Sequence, residues 1–110
     1  MKYFRPERTG QLIRDELSAM IAREIEFPVG VLVTVTDVNV TSDMDHAKVR
    51  VSVLPSEYGE RVMKILNDFR GFLQHGLYRK INIRPMPQML FDLDHGLENA
   101  AAVEKKILEQ

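Results

Sequence analysis

The stretch LVTVTDVNVTSDMDHAKVRVSVL, Leu32 to Leu54, carries the clearest structural signal in the chain. In its second half Ala47, Val49, Val51 and Val53 alternate with Lys48, Arg50 and Ser52. Successive side chains of a strand point to opposite faces, so this is a half-buried strand with two cations on its wet face. The first half, extended back to Val31, is rich in β-branched residues and reads as a partner strand ending at Val40. Its parity changes midway: Val31, Val33 and Val35 are odd, whereas Val38 and Val40 are even. A bulge near Thr36-Asp37 would return both sets to one buried face. Thr41 to Asp45 supplies the polar residues of a reversal, which makes the whole stretch a β-hairpin.

Upstream, Ile13, Leu17, Met20 and Ile21 fall on one helical face, with Thr9 as expected N-cap and the helix running to about Glu26. Pro28 disfavours helical geometry in Phe27 and ends it. Downstream, a helix is expected from near Glu57, where Val62, Ile65, Leu66, Phe69, Leu73 and Leu77 trace an apolar stripe that continues to Ile81. Gly71 and Gly76 interrupt it, either as a break into two helices or as points of close approach. Pro85 and Pro87 end any helix beyond Arg84. Met89, Phe91 and Leu93 alternate with Leu90, Asp92 and Asp94 as a third strand, and Leu97 to Leu108 reads as a terminal helix. The expectation is an α+β domain with its helices on one face of a three-stranded sheet.

The chain has 110 residues and is 45% hydrophobic, enough for one core and one domain, residues 1–110. It lacks cysteine, which excludes a disulfide scaffold, Cys-ligated zinc and a Cys nucleophile. The longest apolar run, Val29 to Val35, is too short to cross a bilayer. The opening MKYFRPERTG puts charges where a signal peptide needs an apolar segment, so a small soluble cytoplasmic protein is expected. The formal net charge of −1 hides an uneven distribution. Residues 59–86 hold six cations (Arg61, Lys64, Arg70, Arg79, Lys80, Arg84) against Glu60 and Asp68, and the remaining segments are neutral or acidic. One side of the molecule should therefore face anions.

Two tetrapeptides, Asp43-Met44-Asp45-His46 and Asp92-Leu93-Asp94-His95, combine carboxylates with imidazole and could in principle bind a metal or transfer protons. Each sits where a strand starts or ends, and Asp and His suit turns there; the structural role is favoured, and neither metal nor cofactor is expected. His75 is expected at the surface. The chain has no P-loop, nucleophile elbow or dinucleotide fingerprint. Gly71 and Gly76 are separated by four residues, three of them bulky, which suits a bend better than a phosphate cradle. Arg70, Arg79, Lys80 and Arg84 cluster at that bend and its outgoing segment, as contacts to a phosphate backbone would require.

The hairpin block, with its T-V-T-D-V start, Ser-Asp turn and A-K-V strand, resembles that of ribosome-binding factor A. The likeness extends to FRPERTGQLIRDEL (Phe4 to Leu17), the G-F-L run at Gly71 to Leu73, and RPMPQMLFDLD (Arg84 to Asp94). The resemblance implies a KH-like fold of type II, in the order α-β-β-α-α-β. It also implies a non-enzymatic assembly factor that binds the free small ribosomal subunit and its rRNA during late maturation, particularly in the cold. In that family an Ala-x-Gly kink between two helices replaces the Gly-x-x-Gly loop of true KH domains. The matching positions here are Phe69, Arg70 and Gly71, of which Phe69 departs from the family's small residue.

The leading expectation is therefore a monomeric rRNA-binding maturation factor. Arg70, Arg79, Lys80 and Arg84 are its expected contacts, assisted by Lys48 and Arg50 on the strand or Arg5 and Arg8 at the N-terminus. No stacking pattern of exposed aromatics is legible, so recognition of shape and phosphate is favoured over base reading. One rival is a protein–protein module pairing through the hairpin edge; another, resting on the Asp-x-Asp-His pairs alone, is a metal-dependent hydrolase.

Overall fold

The computed structural model describes residues 5–95. Its elements are α1 (Pro6–Glu24), β1 (Leu32–Val40), β2 (His46–Leu54), a 3-10 turn (Ser56–Tyr58), α2 (Gly59–Asp68), α3 (Arg70–Ile81) and β3 (Gln88–Leu93). The order α-β-β-α-α-β and a single three-stranded sheet, β1-β2-β3, are those of the KH-like arrangement expected above. The helix expected over Leu97 to Leu108 lies outside the described residues.

β1 and β2 form the antiparallel hairpin, with Val35 opposite Val51 and then Asp37 opposite Arg50, so the expected bulge falls on Thr36. The extra residue does what the change of parity requires. Val35 is buried, and Val33, Val38 and Val40 all pack on the core from the same strand. β3 adds parallel to β2, from His46 opposite Gln88 to Val51 opposite Leu93. A parallel neighbour needs a crossover, and α2 with α3 supplies it. The buried face of β2, Ala47, Val49, Val51 and Val53, meets Ile13, Leu17, Val62, Leu66, Leu73 and Leu77 from the helices in one cluster. Helices therefore cover one face of the sheet, while Lys48 and Arg50 remain exposed on the other. The outer edge of β3 is partly covered from above: the Gln74 amide donates to the Pro87 carbonyl (2.8 Å), and the Met89 N–H donates to Gln74 Oε1 (2.9 Å).

Three boundaries differ from expectation. α1 starts at Pro6 with Arg5 as N-cap, not at Thr9. Proline pre-sets the helical φ and lacks an N–H that would be orphaned at that position, so it opens the helix a turn early. Thr9 is fully buried inside α1, and its Oγ1 has no hydrogen-bond partner. The helix ends at Glu24, where Ile25 turns extended (φ −119°, ψ 130°) and is buried. A 3-10 turn precedes α2, which starts at Gly59. α3 ends at Ile81, where the apolar stripe ends, and Asn82 caps it in the left-handed conformation (φ 56°).

The break in the long apolar run falls on Phe69 (φ −92°, ψ 1°), not on a glycine. That bridge-region geometry is open to Cβ-bearing residues, so the bend needs no glycine at its apex. Gly71 lies within α3, without a positive φ and with open space where a Cβ would sit. Gly76 is the close approach: a Cβ there would collide with the Met20 methyl of α1.

Candidate nucleic-acid interface

Helical periodicity sorts the cations of α3 into two groups. Leu73 and Leu77 are buried, and Arg70 shares their side of the helix and is half-buried at its first turn. Arg79 lies about two and a half turns further on, on the opposite side. Arg79 and Lys80 are both exposed and occupy the last turn, where cations also complement the helix dipole. Arg84 follows in the loop, its guanidinium 5.3 Å from the centroid of the Tyr78 ring. This contact holds a mobile side chain beside the end of α3. The fold thus places Arg79 and Lys80 at the end of α3 and Arg84 in the loop just after it, and sets Arg70 apart at the start of the helix.

The remaining expected cations lie elsewhere. Arg5 is the N-cap of α1 and Arg8 stands in its first turn, both exposed. Lys48 and Arg50 are exposed on the open face of the sheet, where Asp92 of β3 approaches both, at 3.6 Å from Lys48 Nζ and 3.8 Å from Arg50 Nε. Parallel pairing puts Asp92 opposite Arg50, and the shared carboxylate offsets part of the charge these two could offer a phosphate.

Two features escaped the sequence reading. Arg23, three residues after Met20 on α1, lines a groove between α1 and α3 together with Arg79 and Lys80. Nothing local marks it; the packing of α1 on α3, close at Met20 and Gly76, brings the two helices side by side. Second, Phe69 is 40% and Phe72 54% exposed, rings edge to face with centroids 6.3 Å apart. Phe69 had counted as part of the apolar stripe, but the bend carries its side chain out of the core.

The two acidic tetrapeptides have separate structural uses. In the hairpin turn the Thr41 hydroxyl donates to Asp43 Oδ1 (2.6 Å), the Asp45 N–H donates to the same oxygen (3.0 Å), and the His46 N–H donates to Thr41 Oγ1 (3.1 Å). The Thr41 hydrogen bond, helped by the Asp45 N–H, holds the Asp43 carboxyl below its ordinary pKa. At the far end of the sheet the Asp94 N–H donates to the Val51 carbonyl (2.7 Å), while its carboxylate accepts from Thr36 at the bulge (3.0 Å). Among the described residues, no three His, Asp or Glu side chains converge where they could hold a metal ion. Nor is any described helix long and apolar enough to cross a membrane.

Comparison with known proteins agrees with this architecture. The family model for ribosome-binding factor A matches residues 5–107. The chain belongs to the ribosome-binding factor A family. A ribosome-binding factor A from Pseudomonas paraeruginosa is 39% identical, with 97% of this chain and 89% of the relative covered. One from Caldanaerobacter subterraneus is 34% identical over 96% of this chain and 88% of its own length. Among solved structures, ribosome-binding factor A from Thermus thermophilus superposes with a TM-score of 0.71 at 20% identity, covering 82% of this chain and 97% of that one. A homology model of the Thermus thermophilus protein, fitted into the cryo-EM map of its 30S complex, superposes with a TM-score of 0.66 at 24% identity, covering 77% and 90%.

Proposed function

We propose that this protein is an assembly factor that binds the free small ribosomal subunit and its rRNA during late rRNA maturation. Its membership of the ribosome-binding factor A family over nearly the whole chain carries the reading. The relative fitted into the map of a 30S complex supports the small subunit as partner. The protein acts as one domain spanning residues 1–110, as a cytoplasmic monomer without cofactor or catalysis, and its demand is greatest in the cold.

The end of α3 is the principal phosphate-facing surface, through Arg79, Lys80 and Arg84. Their exposure, and their place in the last turn of α3 and the loop after it, support this assignment. Arg70 and the Phe69–Gly71 bend, at the other end of α3, are secondary contacts, and Arg5 and Arg8 extend contact along α1. Lys48 and Arg50 contribute less, because Asp92 already shares their charge.

Replacing Arg79, Lys80 and Arg84 together with Gln tests the assignment by co-sedimentation with small subunits across a salt series. Exposed charges contribute little to stability, so the triple variant should melt as the parent does. Loss of three phosphate contacts should weaken binding and reduce the slope of log affinity against log salt by about 2 to 3. Arg61→Gln with Lys64→Gln, on α2 before the bend, is the matched control. Equal losses from the control, or an unchanged slope in the triple variant, would place the binding face elsewhere.

A further inference from the structure

The groove between α1 and α3 encloses about 410 Å³, in the range of pockets that take small organic groups. Met20, Phe72 and Gly76 supply its apolar lining, and its contour depends on the missing Cβ, since the Met20 methyl occupies the space that a side chain at Gly76 would need. Arg23, Arg79 and Lys80 surround this apolar patch. Among the described residues, the one carboxylate lining the groove, Glu24, takes Arg23 Nε at 3.1 Å, and the guanidinium keeps further donors. A ligand complementary to such a site has a flat apolar part joined closely to anionic groups.

We propose that this groove receives an unstacked base of single-stranded RNA, with the base against Phe72 and Met20 and its flanking phosphates on Arg79, Lys80 and Arg23. The proposal rests on the rRNA-binding reading and adds to it a single-strand-specific subsite. Charge complementarity selects RNA as the occupant, because each nucleotide carries both a π-face and an adjacent anion. Duplex RNA keeps its bases in the stack, so it would reach the cations and leave Phe72 idle. The two walls are helices, whose backbone groups are already bonded, so the groove presents no edge to an extended acidic peptide.

Fluorescence anisotropy with a labelled single-stranded RNA hexamer of mixed sequence, and with its duplex, tests the proposal on the full chain. Co-sedimentation with small subunits is run in parallel. The parent should prefer the single strand. Phe72→Ala should weaken single-strand binding by about 5- to 100-fold, leave the duplex and the salt slope unchanged, and be rescued by Phe72→Tyr. Phe72 is 54% exposed, so its truncation should spare the core, and a thermal melt checks this. A readout on the parent alone is the Met20 methyl resonance, which should move upfield when the hexamer is added, as a stacked base shields it. An unchanged single-strand affinity in Phe72→Ala, equal losses for single strand and duplex, or a stationary Met20 methyl would overturn the subsite. So would loss of subunit binding in Phe72→Ala with RNA affinity intact, which would put a protein segment in the groove. A parent that binds the hexamer as described but never sediments with small subunits would refute the ribosomal reading and leave the subsite standing.

Discussion

Gly10 in α1 and Gly71 in α3 are both helical glycines, and their surroundings are opposite. A Cβ on Gly10 would stand 2.6 Å from the Val38 carbonyl oxygen of β1, whereas one on Gly71 would meet nothing within 4 Å. The first glycine permits a helix to lie directly on a strand's backbone; the second only forgoes helix propensity. Gly76 falls between them, since its neighbour is the end of the Met20 side chain, which can swing aside. Whether a glycine is structural thus depends on the hardness of what it faces, and a main-chain carbonyl held in a ladder is hard.

The comparison breaks most readily at Gly10. Gly10→Ala should cost about 1 to 3 kcal/mol, the usual range for overpacking, because either α1 or β1 must shift. Chemical denaturation measures it, and a melt equal to the parent's would show that the seam is softer than its geometry. Gly71→Ala should act in the other direction. With an ordinary helical φ and open space, alanine should stabilise by up to about 1 kcal/mol with subunit binding retained. A lowered melting temperature would restore the idea that the bend needs glycine.

A smaller effect sharpens the same contrast at the residue beside Gly10. Thr9 is packed against the sheet side of α1 with its hydroxyl unpartnered, so the seam tolerates an unsatisfied polar group. Thr9→Val keeps the shape and removes the hydroxyl, and should be neutral or stabilising by less than about 1 kcal/mol. A clear destabilisation in the same denaturation assay would mean that the hydroxyl has a partner in solution. Least of all, Asp43→Asn should remove a small pH dependence. The depressed carboxyl contributes stability above its ordinary pKa that is lost as pH falls through the lower folded value, so the variant's acid limb should be flatter.

The hairpin was legible residue by residue. The alternation of Ala47, Val49, Val51 and Val53 and the change of parity around Thr36 are local patterns, and the sheet realises both. The basic end of α3 was legible as composition, through Arg79, Lys80 and Arg84. Its partition was not: Arg70 belongs to the stretch by sequence, yet the helix turns it toward the core side. Lys48 and Arg50 read as free cations on a wet face, and parallel pairing delivered Asp92 to them. A helix start was misjudged where two signals competed, at Pro6 against Thr9.

Period, parity and turn chemistry are properties of neighbours along the chain, and they are enough for the element order, the buried face of each strand and the family. What lies opposite each residue is a property of packing. The exposure of Phe72 and the groove shared by Arg23, Arg79 and Lys80 belong to the packing of α3 on α1, where Met20 meets Gly76. There the missing Cβ leaves room for the methyl of a flexible methionine. No local pattern names their partner, because the contact joins residues that are distant in sequence and meet only when both helices compete for the same face of the sheet.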